Sequence, residues 1–298
     1  MSKANIINVD LKLPTKWEDL DNPLTLGKKK TRFSFCSRST ADLTEQPQLR
    51  YLFGLLSQGF PAQQIKTYCL FRWSGMQVMH RYGKGWYCKF AKDEFVLLAS
   101  QVNAAIASLD WLDTLPPLPV RLAKIGSHRA IDAQFQGVPF ETFIVCDNLY
   151  QGYLVTKQDE LLDEMASHLY TSKFRVESLE FIDRLGRLFT PYTLHLTQTE
   201  RISVFYWFAS LKTFFAKVFK HFFKPIDNAS GDNGNMFEQQ QSQYELLQNA
   251  VNAQIRALTK GDITKEAEVL ALDTWRALTE LDAQAREYDE INRKYPTK

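Results

Sequence analysis

Residues 201–225 read RISVFYWFASLKTFFAKVFKHFFKP, twenty-five positions without an acid and with nine aromatic rings. At 3.6 residues per turn Val204, Phe208, Leu211, Phe215, Val218 and Phe222 fall on one stripe, with Lys217, Lys220 and Lys224 opposite. The spacing predicts an amphipathic helix over 199–224, stopped by Pro225. Other rings lie off the stripe, which suits burial on several sides, in a core or against a docked partner. The competing reading is a helix lying on a membrane surface with its lysines at anionic headgroups. The apolar run 202–211 is about half of the roughly 20 residues a spanning helix needs, so no transmembrane segment is expected.

Downstream, Asp227-Asn228-Ala229-Ser230-Gly231-Asp232-Asn233-Gly234-Asn235 has the composition of a flexible linker, and a domain boundary is expected at 226–236. The remainder, 237–298, predicts a helical hairpin: one helix over 237–259, a break at Lys260-Gly261-Asp262, and a second over 264–294. Val269, Leu272, Trp275, Leu278, Leu281, Ala285 and Tyr288 recur at alternating three and four, a narrow seam of coiled-coil type. Its partner is either the preceding helix, through Leu247, Val251, Ile255 and Leu258, or another chain. Because the linker detaches the hairpin, docking onto a protein partner is expected, with Leu272, Trp275, Leu278, Leu281 and Tyr288 joining Phe208, Leu211, Phe215 and Phe222 as anchors.

Upstream, helical spacing marks 177–188, 159–170 and 147–154. Short strands are expected at 120–122 and 140–145, around a turn at Gln136-Gly137-Val138-Pro139. Before Leu115-Pro116-Pro117-Leu118-Pro119 a helix is expected over 94–111 with Asp93 as its cap. Alternating residues over 76–91, around Gly83-Lys84-Gly85, predict a β-hairpin. Two further helices precede it, from Pro47 to Gly59 and from Pro61 to Trp73. Residues 1–46, broken by Pro14, Pro23 and Gly27, read as an irregular arm. The expectation is a mainly α fold with a small β-hairpin (α+β): an arm over 1–46, a main domain over 47–225, a linker and a helical hairpin.

The chain has 298 residues, 36 Lys plus Arg against 34 Asp plus Glu, and 45% apolar residues, enough for a substantial core. The balanced total hides a bipolar layout. Residues 46–92 contain seven cations and no acid, whereas 141–183 contain nine acids and three cations. Such segments either face each other within the fold or steer an intermolecular contact. Two helices followed by a hairpin with Arg81, Lys84 and Lys89 near its tip also share the order of a winged helix-turn-helix. A nucleic-acid-binding module over 47–92, with Arg72, Arg81, Lys84 and Lys89 on phosphates, is therefore the alternative function.

Catalytic patterns are missing. There is no G-x-S-x-G, H-E-x-x-H, Walker A sequence or G-x-G-x-x-G, and the five histidines are scattered. Cys36, Cys69, Cys88 and Cys146 form no C-x-x-C, so free thiols are expected, and His80 with Cys88 is the one metal-ligand pair expected to lie close. No catalytic residue, cofactor or metal is assigned, and a non-catalytic protein is expected. The first ten residues lack a signal-peptide pattern, which makes a cytoplasmic location the expectation.

The wording VNAQIRALTKGDITKEAEVLALDTWRALTELDAQAREYDEINRKYPTK at 251–298, with LRYLFGLLS at 49–57, GVPFETFIVCDNLYQGYL at 137–154 and ISVFYWFASLK at 202–212, resembles uncharacterised proteins in late gene clusters of temperate phages and prophages of gut anaerobes. The resemblance implies a role in virion morphogenesis, as a tail-assembly chaperone or minor virion component. It further implies phage tail or other virion proteins as partners, self-association as an option, and a place in the host cytoplasm during assembly or in the virion. The chain is longer than typical tail-assembly chaperones and differs from them in its basic aromatic middle.

Overall fold

The computed structural model describes residues 11, 13–20, 46–171, 194–223 and 252–294. They are mainly helical, with two small three-stranded antiparallel sheets. The chain divides into two units, Met1–Pro116 and Pro117–Lys298. The division falls inside the proline cluster, where neither a helix nor a sheet ladder can continue. The expected linker at 226–236 and the expected helix at 177–188 lie outside the described residues.

In the first unit, α1 (Pro47–Ser57) and α2 (Ala62–Ser74) pack together. Pro47 opens α1 at a position where a missing N–H costs nothing. Leu49, Leu52 and Phe53 of α1 meet Ile65, Cys69, Leu70 and Trp73 of α2 in the buried set. Gly75, at φ 75, ends α2 in the left-handed conformation that glycine adopts without a Cβ clash. The sheet follows as β1 (Gln77–Tyr82), β2 (Gly85–Phe90) and β3 (Asp93–Leu98), in that order. Gly85 is the first residue of β2 and not part of the turn, which is Gly83-Lys84 alone. A Cβ there would lie 2.5 Å from the Leu97 carbonyl oxygen, so the position requires glycine.

The helix expected over 94–111 is corrected in its first third. Residues 93–98 form β3, with Cys88 opposite Phe95 and Lys89 opposite Glu94. Tyr87 donates from its hydroxyl to Glu94 Oε2 at 2.7 Å, and Lys89 Nζ lies 3.2 Å from Oε1. These cross-strand contacts outweigh the helical propensity of the local sequence. Helix α3 (Ala99–Ile106) starts only after Leu98, whose N–H donates to Gln101 Oε1, and a 3-10 stretch, Ala107–Asp113, continues it. The N-terminal arm is not wholly irregular either. Trp17 and Leu20 of a 3-10 turn are buried, and the Trp17 indole donates to the carbonyls of Trp111 and Thr114.

The second unit begins with a second sheet, β4 (Lys124–Ile125), β5 (His128–Ala130) and β6 (Tyr170–Thr171). The expected strand at 120–122 carries no regular structure; Val120 and Leu122 are simply buried. The expected strand at 140–145 is the start of a helix, α4 (Phe140–Thr156). Pro139 precedes that first turn, and Phe140, Phe143 and Ile144 at three and four spacing face the core. Helix α5 (Asp159–Leu169) follows, and then α6 (Gln198–Val218), the helix expected over 199–224. It stops earlier than expected because the chain turns at Phe219–Phe223, where the N–H groups of His221 and Phe222 both donate to Asp282 Oδ1.

The rings of α6 make the core. Phe208 stacks on Phe143 with centroids 6.1 Å apart, Phe215 meets Phe143 edge-on at 5.7 Å, and Trp207 contacts both Phe135 and Tyr170. The C-terminal segment closes this core. Residues 252–259 are helical, α7 (Glu266–Leu270) follows, and the continuous helix expected over 264–294 is interrupted at 271–273 before α8 (Thr274–Lys294). The break has a tertiary cause: Asp273 bridges to Pro139, Phe140 N–H donates to the Leu272 carbonyl, and Thr274 N–H donates to the Val138 carbonyl.

Candidate functional site

Phe208, Leu211 and Phe215 have no exposed surface, Leu278 and Leu281 are buried, and Phe222, Leu272 and Trp275 pack half-buried against the same core. The structure thus brings the anchor residues of α6 and α8 together, but against each other. Trp275 sits among Phe214, Phe215 and Phe219 at 5.6 to 5.9 Å, and its indole donates to the Gln134 carbonyl at 2.7 Å. Tyr288 alone among the anchors stays largely exposed. Leu247 and Val251, expected across the seam, lie outside the described residues, while Ile255 and Leu258 pack against the core.

The acidic segment finds its counter-charge inside the second unit. Arg201 of α6 forms a bidentate pair with Asp163, both contacts 2.8 Å, and reaches Asp159 at 3.0 Å. Hydrogen bonding to the nearly buried Asp163 raises the guanidinium pKa further. Lys212 pairs with Asp147. Neither cation stands out by its spacing; only the folding that brings Arg201 to α5 and Lys212 to Asp147 of α4 reveals the pairing.

The basic segment remains less neutralised. Lys66, buried in α2, bridges Asp110 and Asp113; burial works against its charge, but the two accepting carboxylates outweigh that and raise its pKa. Lys89 is held by Glu94. Arg72, Arg81, Lys84 and Lys92 are exposed and have no carboxylate partner among the described residues. Strand β1, which carries Arg81, is exposed along its whole length, with Val78, Met79 and Tyr82 among its side chains. A bulge between Val78 and His80 shifts the register, so Cys88 lies opposite Val78 and His80 stacks on Tyr87 at 4.9 Å. The expected His80–Cys88 pair is therefore not formed, and no group of three metal-ligating side chains occurs among the described residues.

A cavity of about 760 Å³ opens in the first unit where α1, α2 and the sheet meet. Tyr51 of α1, Tyr68, Phe71 and Trp73 of α2 and Trp86 of β2 provide its rings. Arg72 lies over the Tyr51 ring, 5.6 Å from its centroid, and Phe71 and Trp86 are tilted at 6.3 Å. Gln48 is almost fully buried in the wall, and its carbonyl oxygen Oε1 has no hydrogen-bond partner among the described residues. Of this set the sequence singled out Arg72 alone. The signal for the others was five aromatic residues interleaved through an acid-free stretch, which becomes a site only once α1 and the hairpin fold onto α2.

No helix among the described residues is long and apolar enough to cross a membrane. Comparison with known protein families, with curated proteins and with solved structures finds no match.

Proposed function

We propose that this chain is a non-catalytic interaction protein of virion assembly, a tail-assembly chaperone or minor virion component, that meets an acidic protein partner through the first unit's sheet. The supporting observation is β1: Val78, Met79 and Tyr82 are exposed beside Arg81 and Lys84, and those cations lack carboxylate partners among the described residues. An exposed apolar strand flanked by unpaired cations matches a surface that carries scattered acids around apolar groups. The aromatic seams of α6 and α8 serve as scaffold in this reading, since every anchor except Tyr288 packs within one unit. The assembly context comes from the resemblance at 49–57, 137–154, 202–212 and 251–298.

Pairwise co-expression with the products of neighbouring late genes tests it. We expect one such product to co-elute with the chain in size-exclusion chromatography, and the Arg81→Glu/Lys84→Glu double variant to lose it. Retention of the complex by that variant refutes the surface assignment.

The same unpaired cations favour a second reading, binding to duplex DNA through the hairpin. It requires affinity that falls steeply with salt, with a log–log slope of about 0.9 per phosphate contacted. Unchanged affinity between low and moderate salt dismisses it.

A further inference from the structure

We infer that the cavity between α1, α2 and the sheet binds a nucleoside phosphate, either free or as part of a single strand. The inference does not rest on the partner surface proposed above. A volume of about 760 Å³ lies within the range of small-molecule sites, and the walls combine flat rings with few polar groups. Tyr68, Phe71 and Trp86 offer ring surface on which a base can stack regardless of its identity.

Charge selects the sign of the ligand. Among the described residues no Asp or Glu lines the cavity, and the Arg72 guanidinium has no carboxylate partner. Its guanidinium carbon lies 5.6 Å from the centre of the Tyr51 ring, and its N–H groups are donors of the kind that meet a phosphate. The same charge disfavours an ammonium ligand in this aromatic setting. A peptide strand fits less well, because the β1 bulge between Val78 and His80 interrupts the edge beside the cavity that such a strand would have to extend.

The test is isothermal titration of the full chain with the four nucleoside monophosphates, with oligo-dA and oligo-dT, and with inorganic phosphate. Saturable binding of a monophosphate is expected, weakened about tenfold or more by Arg72→Glu and by Trp86→Ala. Circular dichroism reports whether each variant is folded; if Trp86→Ala is not, Tyr68→Leu, at an exposed position, takes its place. Monophosphates binding as well as the oligonucleotides identifies a free nucleotide; tighter oligonucleotide binding with the same sensitivity to Arg72→Glu identifies a single strand. No binding of any nucleotide at about 5 mM, a free energy near 3 kcal/mol, overturns the inference. Binding indifferent to Arg72→Glu, or inorganic phosphate binding as well as the nucleotides, also overturns it.

Discussion

Asp273 satisfies two chain segments with one carboxylate. Its Oδ1 accepts from the N–H groups of Trp275 and Arg276 and caps α8, while Oδ2 accepts from Gly137 N–H at 2.6 Å. Asp273→Ala removes the cap and hands the exposed Gly137 amide to water, so it should cost the second unit about 0.5–2 kcal/mol, read from urea unfolding. Thr274 donates to the Val138 carbonyl from both its N–H and its hydroxyl and shares the load, which keeps the variant folded. Cys69 makes a pH-dependent contribution to the first unit. Burial pushes its thiol up to about 12, so the folded chain keeps a proton that the unfolded chain releases near pH 9. Stability from this group is whole below pH 9 and declines as pH rises towards 12. Denaturation of wild type and Cys69→Ala at pH 7 and pH 10.5 should show the alkaline loss reduced in the variant.

At the scale of elements, the same residues support different structures until a neighbour decides. Phe95-Val96-Leu97-Leu98 before an alanine-rich stretch is compatible with a helix start, and Asp93 is a competent cap. Pairing with β2 settles the matter, through Lys89 opposite Glu94 and the Tyr87 hydroxyl on Glu94. Phe140-Glu141-Thr142-Phe143-Ile144-Val145 has strand composition, yet α4 forms because Phe140, Phe143 and Ile144 then share a face against α6. Helix α6 was legible because its apolar period is long and unambiguous. Phe215→Ala opens a void against Phe143, Phe219 and Trp275 and should cost about 3–5 kcal/mol in thermal or urea unfolding. In the sheet, Gly85→Ala forces a methyl group against the Leu97 carbonyl and should destabilise the first unit by about 1–3 kcal/mol. Smaller losses in either variant would mean that the neighbouring elements repack freely.

For the molecule as a whole, charge follows the division into units. Asp147 of α4 and Asp159 and Asp163 of α5 are met by Lys212 and Arg201 of α6, and the buried lysine of α2 is met by Asp110 and Asp113. Each unit also carries its own buried core. Fragments 1–116 and 117–298 should therefore each unfold cooperatively when expressed alone, as monitored by near-ultraviolet circular dichroism. A fragment lacking a cooperative transition would show that its core needs the rest of the chain.

The sequence alone determined the helical class, the hairpin, the aromatic α6 and the uneven distribution of charge, because each is a local property of spacing or composition. Tertiary structure decided which apolar stripe faces which. It packed most of the expected docking anchors against one core while leaving Tyr288 exposed, made β3 from an expected helix, broke the C-terminal helix at Asp273 and gathered five rings and an arginine around one cavity. The physical reason is that periodicity specifies which residues share a face, whereas the partner of that face depends on burial and hydrogen bonds between residues far apart in the chain, such as Trp275 with Gln134 and Thr274 with Val138.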